Sequence, residues 1–308
     1  MLQIAFVREN QEKVIKALAK RNMDAKLLVE EVVQLDENRR SVQAEMDNAL
    51  SESNKLSKDI GELMKNGEKA KAEILKQKTV SLKEQSKAAA DKLEVLTNEL
   101  MQKMYLLPNL PADIVPEGKT PEENLNVFET GEVPVLHEGA LPHWELVKKY
   151  DIIDFELGVK ITGAGFPVYK GKGAKLQRAL ITYFLDKNTD AGYQEYQVPH
   201  LVNEASAYGT GQLPDKEGQM YHDATDDLYL IPTAEVPLTN IFRDVILSET
   251  ELPVMCTGYT PCFRREAGSY GAHVRGLNRL HQFDKVEIVR VEHPEKSYEA
   301  LDGMVEHV

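Results

Sequence analysis

The sequence contains no apolar run of the roughly 20 residues that a membrane-spanning helix requires, so we expect a soluble protein. Its first ten residues, MLQIAFVREN, also lack the basic, apolar and small-residue segments of a secretion signal. Hydrophobic residues nevertheless make up 42% of the 308 residues, which is too much for a wholly disordered chain. This length indicates about two domains.

Cysteine is scarce, with only Cys256 and Cys262 in the chain. Two cysteines cannot build a disulfide framework in a protein of this length, and their spacing fits no zinc template. His273 and His281 likewise have no cysteine or carboxylate at metal-ligand spacing, so no metal ligand is assigned. These absences predict a cytoplasmic protein.

Positive charge is unevenly distributed along the chain. The net charge is -13, but residues 1–107 hold 19 Lys and Arg against 18 Asp and Glu, which leaves the remainder near -14. The overall charge argues against indiscriminate nucleic-acid binding. If the protein binds a polyanion, we expect the first contact in its first third.

Two heptad stripes, uninterrupted by proline, fill this first third. They comprise Leu28, Val32, Leu35, Val42, Met46, Ala49, Leu56, Ile60 and Leu63, with Arg39 and Ser53 as breaks, and Leu75, Leu82, Ala89, Leu93, Leu96, Leu100 and Leu107, with Thr79, Ser86 and Lys103 as weaker members. Asn66-Gly67 predicts a turn between them. We therefore predict helices at about 28–65 and 68–105 that form an antiparallel coiled-coil arm, about 57 Å long at 1.5 Å per residue. A short helix at 8–21 precedes the arm in a first domain of residues 1–107.

A proline-rich linker follows, with Pro108, Pro111, Pro116 and Pro121. The second predicted domain is 108–308. Its pattern predicts a helix from Ala174 to about Ala191, a strand from Tyr193 to Val198, and two antiparallel strands at 259–268 and 281–291. The expected fold class is α+β, with an antiparallel helical arm followed by an antiparallel sheet flanked by helices.

Charged residues alternate on the last two predicted strands. A period of two places Arg264 and Glu266 on one face of the first strand, and Phe283, Lys285 and Glu287 on one face of the second. A solvated strand face is equally charged, so the spacing alone does not decide. The intervening loop, rich in glycine and in basic or titratable residues, favours contact with an anion or a nucleic acid.

Several segments together are similar to one known family. They are Phe263-Arg264-Arg265-Glu266-Ala267-Gly268-Ser269 with Arg275-Gly276-Leu277 and His281-Gln282-Phe283-Asp284-Lys285-Val286-Glu287; Ile231-Pro232-Thr233-Ala234-Glu235-Val236-Pro237-Leu238-Thr239-Asn240; and Gly209-Thr210-Gly211-Gln212-Leu213-Pro214. The first set resembles the second signature motif of class II aminoacyl-tRNA synthetases in the form found in seryl-tRNA synthetases, and the second resembles that family's serine-binding TxE loop. The helix from Ala174 with the strand to Pro199 is similar to the first class II motif, and the arm is similar to the family's tRNA-binding domain. The resemblance covers essentially the whole chain.

The resemblance implies a role for each matching residue. Arg264 binds the α-phosphate of ATP and is the catalytic residue, Glu266 accepts a hydrogen bond from the adenine amino group, and Phe283 stacks on adenine. The remaining expected contacts are Arg265 and the backbone near Leu280 for ATP; Thr233, Ala234, Glu235 and Glu287 for serine; and Ser269, His273, Arg275 and Arg279 for the tRNA acceptor.

The implied activity is that of a serine–tRNA ligase, which activates L-serine with ATP to seryl-adenylate and transfers it to tRNA(Ser). ATP as a substrate and Mg²⁺ are the expected cofactors. The expected partners are tRNA(Ser) through the arm, L-serine, and a second copy through the motif 1 helix and strand, with no membrane. The family's third motif is absent and the chain ends at Glu306-His307-Val308 inside a helical pattern, so we expect a fragment of a longer active ligase.

Other interpretations remain open. The protein could be a non-catalytic tRNA-binding paralogue with a synthetase-like core, or a ligase that charges another acceptor with a small amino acid. Locally, Thr233-Ala234-Glu235 also suits a helix N-cap, and Gly171-Lys172-Gly173 suits a turn into the following helix better than a phosphate loop. We interpret His143 and Trp144 as packing residues. Arg39 and Arg40 are solvated arm positions or contacts to tRNA phosphates.

Overall fold

The chain divides into two units in a computed structural model that describes residues 2–215, 217–266 and 275–308. The first unit is Met1–Glu132 and the second is Val133–Val308. Each unit has its own set of elements and its own buried clusters. The domain boundary expected between residues 107 and 108 stays a prediction.

The first unit is helical. Its helices are α1 (Ile4–Glu9), α2 (Gln11–Ala19), α3 (Lys26–Lys65) and α4 (Lys69–Met104), followed by a 3-10 turn at Pro121–Glu123. Gly67, at φ +80°, turns the chain between α3 and α4. Ion pairs of 2.6 Å join Lys78 to Glu52 and Lys103 to Glu31. The later residue of α3 thus pairs with the earlier residue of α4, which is the order of an antiparallel pair of helices. The single short helix expected at 8–21 is instead two helices, because the chain bends at Asn10 (φ -130°, ψ 38°).

The heptad pattern locates the seam between α3 and α4. Its buried members include Val32, Val42, Ala49 and Leu82 together with the small polar residues Ser53, Thr79 and Ser86. Thr79 Oγ1 donates to the Leu75 carbonyl oxygen at 2.8 Å. A small hydroxyl can therefore occupy the seam, because its own helix supplies the acceptor.

A buried carboxylate lies near the N-terminal end of α3. Asp36 is fully buried and accepts hydrogen bonds from Arg8 Nη1 of α1 at 2.6 Å and from Arg39 Nη2 at 2.8 Å. Burial raises the pKa of Asp36, but the bonds from Arg39 and Arg8 outweigh it and hold this pKa below its ordinary value. Arg39, expected as a break in the stripe, is thus one of two cations that neutralise the buried charge of Asp36.

The second unit combines short strands with helices. Its helices are α5 (His143–Lys149), α6 (Phe155–Ile161), α7 (Lys172–Asp190), α8 (Glu204–Gly209), α9 (Glu235–Asn240) and α10 (Ser297–His307), with 3-10 turns at Glu249–Glu251 and Pro294–Lys296. Its strands are β1 (Ile153–Asp154), β2 (Val168–Tyr169), β3 (Gln194–Glu195), β4 (Leu201–Val202), β5 (Tyr221–Asp223), β6 (Leu228–Leu230), β7 (Val254–Phe263) and β8 (Gln282–Val291).

The described strands of this unit form three sheets, with strand orders β1-β2, β3-β7-β8 and β4-β6-β5. The long pair β7–β8 is antiparallel, and its register places Gly258 opposite Glu287. The antiparallel sheet expected from the sequence is found at β7–β8, and β3 extends it by pairing with β7 in parallel. A parallel pair needs a long connection, and the 58 residues between Glu195 and Val254 provide it. The α+β class is confirmed.

Among the residues that the structure describes, no helix is both long and apolar enough to cross a bilayer.

Candidate active site

The turn between β6 and α9 contains the predicted serine-binding residues. Thr233 is 4% exposed, and its hydroxyl donates to a carboxylate oxygen of Glu287 on β8. The Glu235 amide donates back to Thr233 Oγ1 at 3.2 Å. Ala234 is fully buried against Leu238 and serves as the N-cap of α9 without a side-chain hydrogen bond. The N-cap is therefore Ala234 and not Thr233, although the Thr233 hydroxyl accepts from the first amide of α9 while it donates to Glu287.

Two hydrogen bonds attach this turn to the end of β7. The Phe263 amide donates to the Ile231 carbonyl oxygen at 2.9 Å, and Arg264 Nε donates to the Pro232 carbonyl oxygen at 3.3 Å. Since Thr233 follows directly, these bonds fix the position of its hydroxyl relative to the strand. The sequence alone indicated both segments but not that they bind each other.

The predicted ATP contacts Arg264 and Phe283 lie side by side. The Arg264 guanidinium carbon is 5.2 Å from the centre of the Phe283 ring, a cation–π distance. The Arg264 amide donates to the His281 carbonyl oxygen at 2.9 Å, which joins the ends of the two strands. On β8, Lys285 Nζ lies 2.5 Å from Glu287 Oε2. One face of β8 therefore has an aromatic ring, a cation and a carboxylate in succession, as alternation predicts.

Glu266 departs from the expected geometry. β7 ends at Phe263, so Arg264 and Glu266 lie beyond the strand and do not share a strand face. Glu266 has φ +48°, and its partly buried carboxylate pairs with Arg279 Nη1 at 3.6 Å. Strand alternation could not predict this, because β7 ends three residues before Glu266, whose own backbone is left-handed.

The other predicted ATP residues have fewer contacts. Leu280 is buried at the entry to β8, and the Arg265 amide donates to the Gln219 carbonyl oxygen at 2.9 Å. Neither observation tests a role in nucleotide binding, so both assignments stay predictions.

A cavity of about 450 Å³ lies beside Glu266. Arg275, Arg279 and His281 line it together with Trp144. Of the residues predicted to contact the tRNA acceptor, Arg275 and Arg279 thus border one cavity. Ser269 and His273 lie outside the described residues.

His143 and Trp144, interpreted above as packing residues, hold the returning end of the loop between β7 and β8. His143 Nε2 accepts from the Leu277 amide at 2.9 Å, and the Arg275 guanidinium carbon is 5.0 Å from the centre of the Trp144 ring. Trp144 Nε1 is buried and finds no acceptor among the described residues. No periodic signal could have found this pair, because its partners lie more than 130 positions away in the chain.

The opposite face of β7 and β8 has polar side chains at partly buried positions. Tyr259 Oη donates to Asp284 Oδ1 at 2.5 Å, and Gln177 of α7 donates to the other carboxylate oxygen. Burial raises the pKa of the Tyr259 phenol, and the hydrogen bond and negative charge of Asp284 raise it further. Tyr259 is therefore a neutral donor at physiological pH.

Comparisons with known proteins agree with this geometry. The profile of the Seryl-tRNA synthetase N-terminal domain matches residues 1–111, and that of the tRNA synthetase class II core domain (G, H, P, S and T) matches residues 219–308. The serine–tRNA ligase of Salinibacter ruber is 44% identical over 306 residues, which are 99% of this chain and 72% of that protein. The one of Nautilia profundicola is 44% identical over 305 residues, 99% of this chain and 73% of that protein.

A solved structure has the same fold. The seryl-tRNA synthetase of Pyrococcus horikoshii complexed with ATP superposes with a TM-score of 0.86 at 29% identity, covering 99% of this chain and 73% of that one. The second unit is thus a core of the class II tRNA synthetase type. The chain as a whole belongs to the seryl-tRNA synthetase family, and the predicted family, fold class and ligase function are confirmed.

Proposed function

We propose that the second unit activates L-serine with ATP, releasing pyrophosphate, and that the seryl group then passes to tRNA(Ser). The observation that carries this proposal is the hydrogen bond between Thr233 and Glu287. It brings the TxE turn and β8 together at a hydroxyl and a carboxylate, which suit the hydroxyl and ammonium groups of serine. Glu235, exposed beside them, offers a second carboxylate.

The ATP site is proposed around Arg264. Negative charge accumulates on the α-phosphate as the serine carboxylate attacks, and a guanidinium presents a rigid fork of donors to such oxygens. In this proposal adenine stacks on Phe283 and donates from its amino group to Glu266. The proximity of Arg264 to Phe283 and the cavity beside Glu266 support this arrangement.

Mg²⁺ would enter with the nucleotide. Within the described residues, no group of three or more His, Cys, Asp or Glu side chains could hold a metal ion. The residues present fit an ion held mainly by phosphate oxygens and water, which is the coordination that Mg²⁺ prefers. When bound, the ion supplies neutralisation of the ATP phosphates.

The partners follow from each unit taken separately. We propose that the α3–α4 arm binds tRNA(Ser), since its exposed basic residues include Arg40 and several lysines of α4. A homodimer would form through α7, whose apolar residues Leu176, Leu180, Tyr183 and Phe184 are about half exposed. The cytoplasmic location stays a prediction.

The test is ATP–pyrophosphate exchange by the full-length gene product with serine, glycine or alanine. An analogue without the hydroxyl leaves buried polar partners unpaired, so alanine should be about 10⁴-fold worse than serine in kcat/KM. Comparable rates with alanine and serine would show that the pocket binds another amino acid. No exchange with any amino acid would favour a non-catalytic paralogue.

A further inference from the structure

The proposed substrate residues of β8 occupy one face of the strand, and α7 packs behind the other. Phe283 and Glu287 point to the side of Arg264 and Thr233. The intervening residue Asp284 bonds Gln177 of α7. The α7 side of the sheet therefore lies directly behind the proposed serine and ATP sites.

A chain of hydrogen bonds runs from α7 through β7 to the backbone of Glu287. Asn188, in the last turn of α7 and 8% exposed, donates from Nδ2 to Thr257 Oγ1 at 2.8 Å. Thr257 is fully buried on β7, and its hydroxyl donates onward to the Glu287 carbonyl oxygen at 2.9 Å. His307 Nε2 of α10 lies 2.8 Å from Asn188 Oδ1, so both ends of the buried amide have partners.

Buried polar groups cost free energy unless every member of their network is hydrogen-bonded. An apolar pair would hold α7 against the sheet equally well. The hydroxyl of Thr257 differs from an apolar group in one respect, since it also holds the backbone of the residue whose carboxylate meets Thr233.

The position opposite Glu287 cannot supply this restraint. Gly258 is the cross-strand partner of Glu287 and has no side chain to pack against it. A Cβ at residue 258 would lie 2.9 Å from the Tyr196 carbonyl oxygen, so a larger residue does not fit. Cross-strand side-chain pairs normally stabilise a sheet. Here the neighbouring Thr257 fixes Glu287 from the other face.

We propose that Asn188 and Thr257 are positioning residues for serine, which fix the Glu287 backbone so that its carboxylate meets Thr233 and the bound amino acid. This inference rests on the proposed function, because it requires Glu287 to bind serine. Neither residue contacts the substrate itself.

The test is the KM for serine and for ATP in pyrophosphate exchange by the full-length gene product. Thr257→Val removes the hydroxyl at nearly constant volume, and we expect it to raise the serine KM about tenfold while the ATP KM stays within about twofold. Thr257→Ser keeps the hydroxyl and should bring the serine KM back to within about threefold of wild type.

Two further variants separate positioning from stability. Tyr259→Phe is the matched control, since it removes a hydroxyl from the same face of β7 that bonds the Asp284 side chain instead of the Glu287 backbone; its serine KM should stay within about twofold. The double variant Asn188→Leu with Thr257→Val replaces both members of the buried Asn188–Thr257 bond by apolar groups, and the partly exposed His307 can bond to water instead, so we expect its stability to recover from that of Thr257→Val. Its serine KM should remain raised.

A wild-type serine KM in Thr257→Val would overturn the positioning role, as would a double variant whose serine KM recovers with its stability. Glu287→Ala in the same assay distinguishes the two levels of the proposal. If Glu287→Ala raises the serine KM and Thr257→Val does not, only the positioning role fails. If Glu287→Ala leaves the serine KM unchanged, the proposed serine site itself is wrong.

Discussion

The two units of the chain are organised by different kinds of contact. In the helical unit, a seven-residue repeat decides which side chains of α3 and α4 meet, and the same contact recurs along the seam. In the second unit, the candidate site joins residues with no periodic relation, such as Thr233 to Glu287 and Arg264 to Pro232. Repetition therefore builds a long surface, whereas single non-local hydrogen bonds build a reaction site.

Among the substitutions that separate the two units, we expect Arg264→Ala in the second unit to have the greatest effect on activity. Removing a charged donor to a developing oxyanion costs about 3 kcal/mol, so serine-dependent pyrophosphate exchange should fall more than about a hundredfold. Circular dichroism should show an intact fold, because the Arg264 side chain lies at the end of β7 and supports no core cluster.

Arg40→Ala is the matched control in the arm, where the side chain is exposed on α3. Its exchange rate should stay within about twofold of wild type, because exchange requires no tRNA and surface substitutions have small effects. An Arg264→Ala enzyme that retains a third or more of wild-type exchange would refute the assignment of Arg264.

A smaller effect is expected from Asp36→Asn, which removes the charge of the one fully buried carboxylate among the described residues, held by Arg8 of α1 and Arg39 of α3. The two arginines that it pairs are partly exposed, so solvent limits the loss to about 2 kcal/mol in the local stability of the helical unit. Hydrogen exchange of amides in α1 and α3 measures this unit separately from the core. Asp47→Asn makes the same change of a carboxylate to a carboxamide at an exposed position of α3. It should change the local stability of the helical unit by less than about 0.5 kcal/mol.

Repeating the hydrogen-exchange measurement at falling pH tests whether the ion pairs of Asp36 cause this loss of stability. Because the folded-state pKa of Asp36 is lowered, its contribution is complete above the ordinary carboxyl pKa of about 3.9 and is lost as the pH falls through the lower folded value. The wild-type unit should therefore lose protection in this acid range more steeply than Asp36→Asn. Equal acid sensitivity of the two proteins would show that the ion pairs contribute nothing.

Much of the arm could be predicted from the sequence, because helix periodicity is a local signal. The expected helices at 28–65 and 68–105 correspond to α3 at Lys26–Lys65 and α4 at Lys69–Met104. The buried charge of Asp36 could not be predicted, since its partner Arg8 lies on another helix 28 positions earlier. Asp36 lies outside the heptad stripe, where a charged residue is usually read as exposed.

In the second unit the motifs identified the residues, but the geometry around them is non-local. Resemblance identified Thr233, Arg264 and Glu287, whereas nothing in the sequence linked Asn188 to Thr257, 69 positions away. Strand alternation also failed at Glu266, because β7 ends three residues earlier. Local patterns predict elements, while the hydrogen bonds between elements require the fold.

The division of function between the two units is tested most directly by shortening the arm in the full-length gene product and measuring exchange and tRNA charging in parallel. Deleting residues 46–86 and closing the gap with an Asn-Gly turn removes the distal part of α3 and α4. The deletion keeps the apolar cluster that joins α1 and α2 to the retained ends of α3 and α4, which includes Val7, Val29, Leu100 and Met104. We expect unchanged serine-dependent pyrophosphate exchange and a loss of about a hundredfold or more in kcat/KM for tRNA(Ser), because the contacts to its phosphates and helical shape are removed. Undiminished charging by the shortened protein would contradict the division of function between the two units.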